Sequence, residues 1–119
     1  MSNKKFLLKY GSSDHLGKLV NDSDCGIRQS VADSPNATKD HLDILVNDVN
    51  SIVRQIVACN PNLSKEHIDK LINDHHHDVR WRVAANPNLT KDHLDKLVND
   101  DVFDVKIEAK NQLNKRFPE

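Results

Sequence analysis

Apolar positions recur along the chain in two alternating rhythms. The first is a triplet at i, i+3 and i+4: Leu16/Leu19/Val20, Leu42/Leu45/Val46, Ile68/Leu71/Ile72 and Leu94/Leu97/Val98. That spacing lays one buried stripe along a helix of about three turns. The second rhythm is apolar-basic-x-x-apolar-small: Ile27-Arg28-Gln29-Ser30-Val31-Ala32, Val53-Arg54-Gln55-Ile56-Val57-Ala58 and Val79-Arg80-Trp81-Arg82-Val83-Ala84. A fourth, more polar copy reads Val105-Lys106-Ile107-Glu108-Ala109-Lys110. It predicts a second, shorter helix, whose final Ala lets neighbouring helices approach closely.

The polar residues between the stripes act as punctuation. Ser12, Thr38, Ser64 and Thr90 stand three residues before His15, His41, His67 and His93. A hydroxyl there accepts from the free N–H groups of a first helical turn, so these are expected N-caps. Asp14, Asp40, Glu66 and Asp92 follow in the same turn, where the helix dipole favours acids. Asn21, Asn47, Asn73 and Asn99 come after each stripe and are expected to stop it in a left-handed backbone. The Asn-Pro-Asn runs at 60–62 and 86–88, and Ser34-Pro35-Asn36 before them, stop the second helix. Proline removes a donor and drives its predecessor out of the helical region.

Pro35, Pro61 and Pro87 are 26 residues apart. A fixed period of this size marks a stacked array. The expected organisation is one domain over residues 1–119. Its four two-helix units are 12–37, 38–63, 64–89 and 90–115, preceded by a lid over 1–11 and followed by a tail over 116–119. Phe6, Leu7, Leu8 and Tyr10 would cover the first unit. The fourth lacks the proline turn, so Asn111 to Lys115 should prolong its helix as a wet cap.

Composition sharpens this picture. Aromatic residues are 4% of the chain, so the core must come from Leu, Ile, Val and Ala. A stack that buries small residues between neighbours suits that supply better than one compact centre. The formal net charge of −1 argues against indiscriminate wrapping on nucleic acid. Lysines and one arginine gather at the two ends, leaving the middle acidic. Cys25 and Cys59 are isolated, which predicts no disulfide scaffold and a reducing cytoplasm. Phe6-Leu7-Leu8 is too short for a secretory signal, and no stretch is apolar enough to span a membrane.

Units reading Asn-Pro-Asn-Leu-Thr, a short Leu-rich helix, then Asp and Val-Arg-x-x-Val-Ala resemble the leucine-rich repeat variant proteins, relatives of HEAT repeats. The resemblance spans the four units. It implies an all-α, right-handed superhelix of alternating α and shorter, α or 3₁₀, helices. Some members of that family carry an N-terminal iron–sulfur module. The cysteine cluster such a module needs is missing from this sequence, so no cofactor is expected.

Four features carry candidate chemistry. Arg28, Arg54, Arg80 and Lys106 form a basic ladder, one member per unit, and Asp22, Asp48, Asp74 and Asp100 lie six residues before them. Bidentate pairing would make these struts between units; unpaired, the ladder would be a stripe for phosphates. The histidine ladder cannot share a metal ion, because packed helices lie ~8–10 Å apart and zinc–nitrogen bonds are about 2 Å. A packing and hydrogen-bonding role is expected instead. His75, His76 and His77, between Asp74 and Asp78, have metal-ligand chemistry, yet consecutive side chains diverge, so a solvated loop is expected. Last, Arg80-Trp81-Arg82 lies on a face that Val79 and Val83 leave free, with Gln29 and Gln55 at the positions matching Trp81. Trp beside Arg is the composition of an interface hot spot and of a base-stacking platform.

No glycine-rich phosphate loop or nucleophile with a placed base is present, so no catalysis is expected. The leading expectation is a non-catalytic binding module, an adaptor or small inhibitor that grips a partner protein. The alternatives are nucleic-acid binding through a basic face and metal binding through the His75–His77 tract.

Overall fold

The computed structural model describes residues 13–118, with side chains from His15 onward. The lid expected over 1–11, the cap at Ser12 and the side chain of Asp14 lie outside the described residues. Eight helices and no strand are found among them: α1 (Ser13–Leu19), α2 (Cys25–Asp33), α3 (Lys39–Leu45), α4 (Ser51–Ala58), α5 (Lys65–Leu71), α6 (His77–Ala84), α7 (Lys91–Leu97) and α8 (Phe103–Arg116). The molecule measures 50 × 23 × 20 Å.

The odd-numbered helices start where their hydroxyl residues dictate. Thr38, Ser64 and Thr90 each accept a hydrogen bond from the backbone N–H of the His three residues on. That histidine closes the box by accepting, through Nδ1, the N–H of the cap residue at 3.0–3.1 Å. Glutamate or glutamine usually holds this place.

The ends of these helices depart from expectation in two ways. Each is only 7 residues long, shorter than the 8–9 residues of α2, α4 and α6. So the second helix of a unit is the longer one, and it is α-helical. The last stripe residues Val46, Ile72 and Val98 fall at the C-caps, where the chain tightens into i→i−3 bonds such as Asp48 N–H to Leu45 O (3.0 Å). Nor is there a left-handed stop, since no described residue has positive φ. Asn47, Asn73 and Asn99 instead turn their amides back onto the carbonyls of Asp43, Asp69 and Asp95, at 3.1–3.4 Å.

The even-numbered helices have caps of their own. Asp24, Asn50 and His76 accept N–H groups of the first turns of α2, α4 and α6, while Val102 before α8 has no capping side chain.

Packing follows the two stripes. Helix α2 lies on α4, α4 on α6 and α6 on α8; α1 packs on α2, and α3, α5 and α7 each fill the side between two even helices. Ala32, Ala58 and Ala84 are fully buried where the even helices meet. Leu16, Leu42, Leu45, Ile68, Leu71 and Leu94 are among the largest fully buried side chains, each worth roughly 1.5–3 kcal/mol of burial.

Candidate functional site

Each arginine of the basic ladder is engaged twice. Arg28 Nε donates to Asp48 Oδ2 at 2.7 Å, Arg54 to Asp74 at 2.8 Å and Arg80 to Asp100 at 2.7 Å, each with a second bond to Oδ1 at 3.2 Å. The remaining Nη1 of each reaches the backbone carbonyl of Asp22, Asp48 or Asp74 at 2.7 Å. The aspartate six residues back therefore contributes its main chain, and the aspartate twenty residues ahead its carboxylate. That carboxylate also accepts the N–H two residues on, as Asp74 does from His76 and Asp100 from Val102. Lys106 makes no hydrogen bond or ion pair among the described residues.

The electrostatics follow from these contacts. Burial pushes the Asp74 carboxyl upward, but bonds from Arg54 and the His76 N–H outweigh it and hold it below the ordinary value. Asp100 behaves alike, with Arg80 and the Val102 N–H overcoming burial. The carboxylates of Asp48 and Asp100 in turn raise Arg28 and Arg80.

A second ladder runs through the buried histidines. Because Nδ1 accepts a backbone N–H, the imidazole proton sits on Nε2. His67 Nε2 donates it to Asp43 (2.6 Å) and His93 Nε2 to Asp69 (2.8 Å), each in the preceding unit. These bonds, followed by those from Lys39 and Lys65, lower both carboxyls. Gly17 stands where Asp43 and Asp69 stand later, and a Cβ built there would lie 3.6 Å from His41 Nε2. Gly17→Asp should supply the missing acceptor and improve helix propensity. The expected gain is about 1 kcal/mol, read as a melting temperature a few degrees higher; an unchanged or lower value would refute the His–Asp contribution.

A third set of bonds uses the asparagines before proline. Asn60 and Asn86 are buried and donate to the carbonyls of Ala32 and Ala58 at 2.8 Å.

The 75–77 tract does not converge. His76 caps α6, His75 and His77 are exposed, and the rings of His76 and His77 stack at 5.4 Å. Among the described residues no group of three His, Cys, Asp or Glu side chains is placed to hold a metal ion.

What remains outward is the opposite face of the even helices. Trp81 is 42% exposed, Phe103 69% and Ile107 36%. Arg82 is exposed, lies 5.8 Å from the Trp81 ring centroid and reaches back to Cys59 Sγ at 3.9 Å. Gln29 and Gln55 are half-buried, Gln29 with its amide 4.0 Å from Cys25 Sγ. Arg80 belongs to this face by sequence, yet its guanidinium is taken up by Asp100 and Asp74. Trp81 and Arg82 are the members of the triplet left to meet solvent.

No family model, curated protein or solved structure matches the chain. Function has to be argued from these side chains alone.

Sequence reasoning passed over three of these features. Asp43 and Asp69 went unnoticed as histidine partners, although each stands 24 residues before its histidine. The amides of Asn60 and Asn86 were hidden behind the more obvious proline. Phe103 lies upstream of the fourth apolar-basic pattern and was not grouped with Trp81. No described helix is long and apolar enough to cross a membrane.

Proposed function

We propose that the chain is a short right-handed α-solenoid of four 26-residue units, akin to leucine-rich repeat variant and HEAT-like proteins. It works as a non-catalytic cytoplasmic binding module that engages a partner protein through the outward face of its even-numbered helices. The observation that carries this reading is Trp81, left 42% exposed on α6, with Phe103 and Ile107 exposed on the adjacent α8. A large aromatic kept in water has a desolvation gain in reserve that only a partner can collect. Arg82 at its edge, Gln55 on the neighbouring α4 and Gln29 further along on α2 supply the polar positions of this face.

Protein is favoured over nucleic acid as the partner because Arg28, Arg54 and Arg80 are saturated by carboxylates and carbonyls. A phosphate would have to displace a buried bidentate bond to reach any of them.

Affinity purification with wild-type and Trp81→Ala baits tests the reading. The wild-type chain is expected to retain a discrete protein, and Trp81→Ala to lose it by roughly tenfold or more while unfolding within about 1 kcal/mol of wild type. Undiminished retention by the variant, or retention of nucleic acid in place of protein, would overturn it.

A further inference from the structure

The flanks of α8 differ in charge, and the ladders show which flank faces which way. Arg80 and Lys106 occupy equivalent positions in consecutive units, and Arg80 reaches forward to Asp100. Arg82 and Glu108 are likewise equivalent, and Arg82 reaches backward to Cys59. By the same geometry, Glu108 and Asp104 one turn before it lie on the flank of α8 turned toward α6. Lys106 and Lys110, also one turn apart, lie on the flank turned away from α6. The furrow between α6 and α8 therefore has an apolar crest of Trp81, Phe103 and Ile107 and a carboxylate wall of Asp104 and Glu108.

The cations within reach of that furrow are spoken for or point elsewhere. Arg82 leans toward α4, and His77 Nδ1 lies 3.3 Å from Asp78. On the carboxylate side, Glu108 accepts only the amide of Gln112 (2.9 Å), whereas Asp101, 97% exposed, already lies 3.9 Å from Arg80.

Size decides between occupants. The three apolar side chains leave roughly 300 Å² in water, the scale of a functional patch on a monomer. A permanent dimer buries far more, about 800 Å² or above on each copy. A second copy would also bring its own Asp104 and Glu108 against these two across a symmetric contact.

Resting on the reading of this face as a protein-binding surface, we propose that its partner is a short amphipathic segment, apolar on one side and rich in Lys or Arg on the other. Its apolar stripe lies on Trp81, Phe103 and Ile107, and its cations meet Asp104 and Glu108. This is recognition of a helix by a groove, with rim charges setting the choice of partner.

The test titrates the isotope-labelled full chain with two synthetic peptides of about 18 residues, long enough to form a helix on the surface. One carries Leu at i, i+3 and i+4 with Lys elsewhere; the other has Glu in place of Lys. The Lys peptide is expected to shift the Trp81 indole N–H and the first turns of α8, and to bind at least tenfold more tightly than the Glu peptide. The double variant Asp104→Lys/Glu108→Lys, both at exposed or half-exposed positions, should lose that preference while its circular dichroism stays unchanged. Equal binding of the two peptides, or a preference that survives the charge reversal, would overturn the partner class and leave the face standing. Binding of the Lys peptide undiminished by Trp81→Ala would overturn the face itself.

Discussion

Replacing Arg54 with alanine is expected to cost about 3–5 kcal/mol of folding stability, the range for breaking one side of a buried ion pair. The Arg54 side chain is 7% exposed and that of Asp74 9%, so neither group can turn to water when the other is lost. The substitution removes both bonds to Asp74 and the bond to the Asp48 carbonyl together. It leaves a carboxylate whose remaining hydrogen bond comes from the His76 backbone N–H, with His75 Nδ1 3.9 Å away. Urea unfolding of Arg54→Ala beside Arg82→Ala checks this. Arg82 is exposed, and its removal should stay within about 0.5 kcal/mol of wild type. Arg54→Lys should recover only part of the loss, because an ammonium cannot make the two parallel bonds. Equal effects at Arg54 and Arg82 would show that the ladder contributes nothing.

Acid is expected to unfold the chain through these same contacts. Asp43, Asp69, Asp74 and Asp100 all have folded-state values below the ordinary 3.8. A carboxyl that is harder to protonate when folded stabilises the native state fully above its unfolded value. That contribution fades as the pH falls past 3.8 and through the lower folded values. Asp43 and Asp69 are nearly half exposed and screened, so Asp74 and Asp100 should carry most of the effect. The unfolding midpoint, followed from neutral pH downward, should decline steeply once the carboxylates begin to titrate. Asp74→Asn, which gives up one charge but keeps much of the shape, should flatten that decline. A midpoint indifferent to acid would mean the aspartates are not held in their ionised form by folding.

Much of the architecture was legible because it is written several times. Repetition turned a weak signal, such as Thr38 three residues before His41, into a register shared by Ser64 and Thr90, and all three are caps. The same repetition concealed other things. Asp48 lies six residues before Arg54 and Asp74 twenty after it, and every such pair in a 26-residue period has this double neighbour. Spacing cannot tell which carboxylate the guanidinium takes; that depends on how far one unit is rotated from the next. The helix ends were misjudged for a local reason. Asparagine after an apolar stripe suggests a left-handed stop, yet Asn47, Asn73 and Asn99 satisfy the carbonyl four residues back with their own amides. The outward face was only half visible. Trp81 declared itself by composition, whereas Phe103 is left exposed on α8, the helix that packs on α6.

Among the described residues, the bonds that link one unit to the next span between 20 and 28 residues; the ladder arginines donate forward, and histidines and asparagines donate backward, so the two borders of a unit are complementary. An in-frame duplication or loss of 26 residues therefore meets, at the new junction, the groups it left at the old one. Chain length can change by whole modules during descent without any core position having to be reinvented, and the surface carried by each module is free to diverge alone.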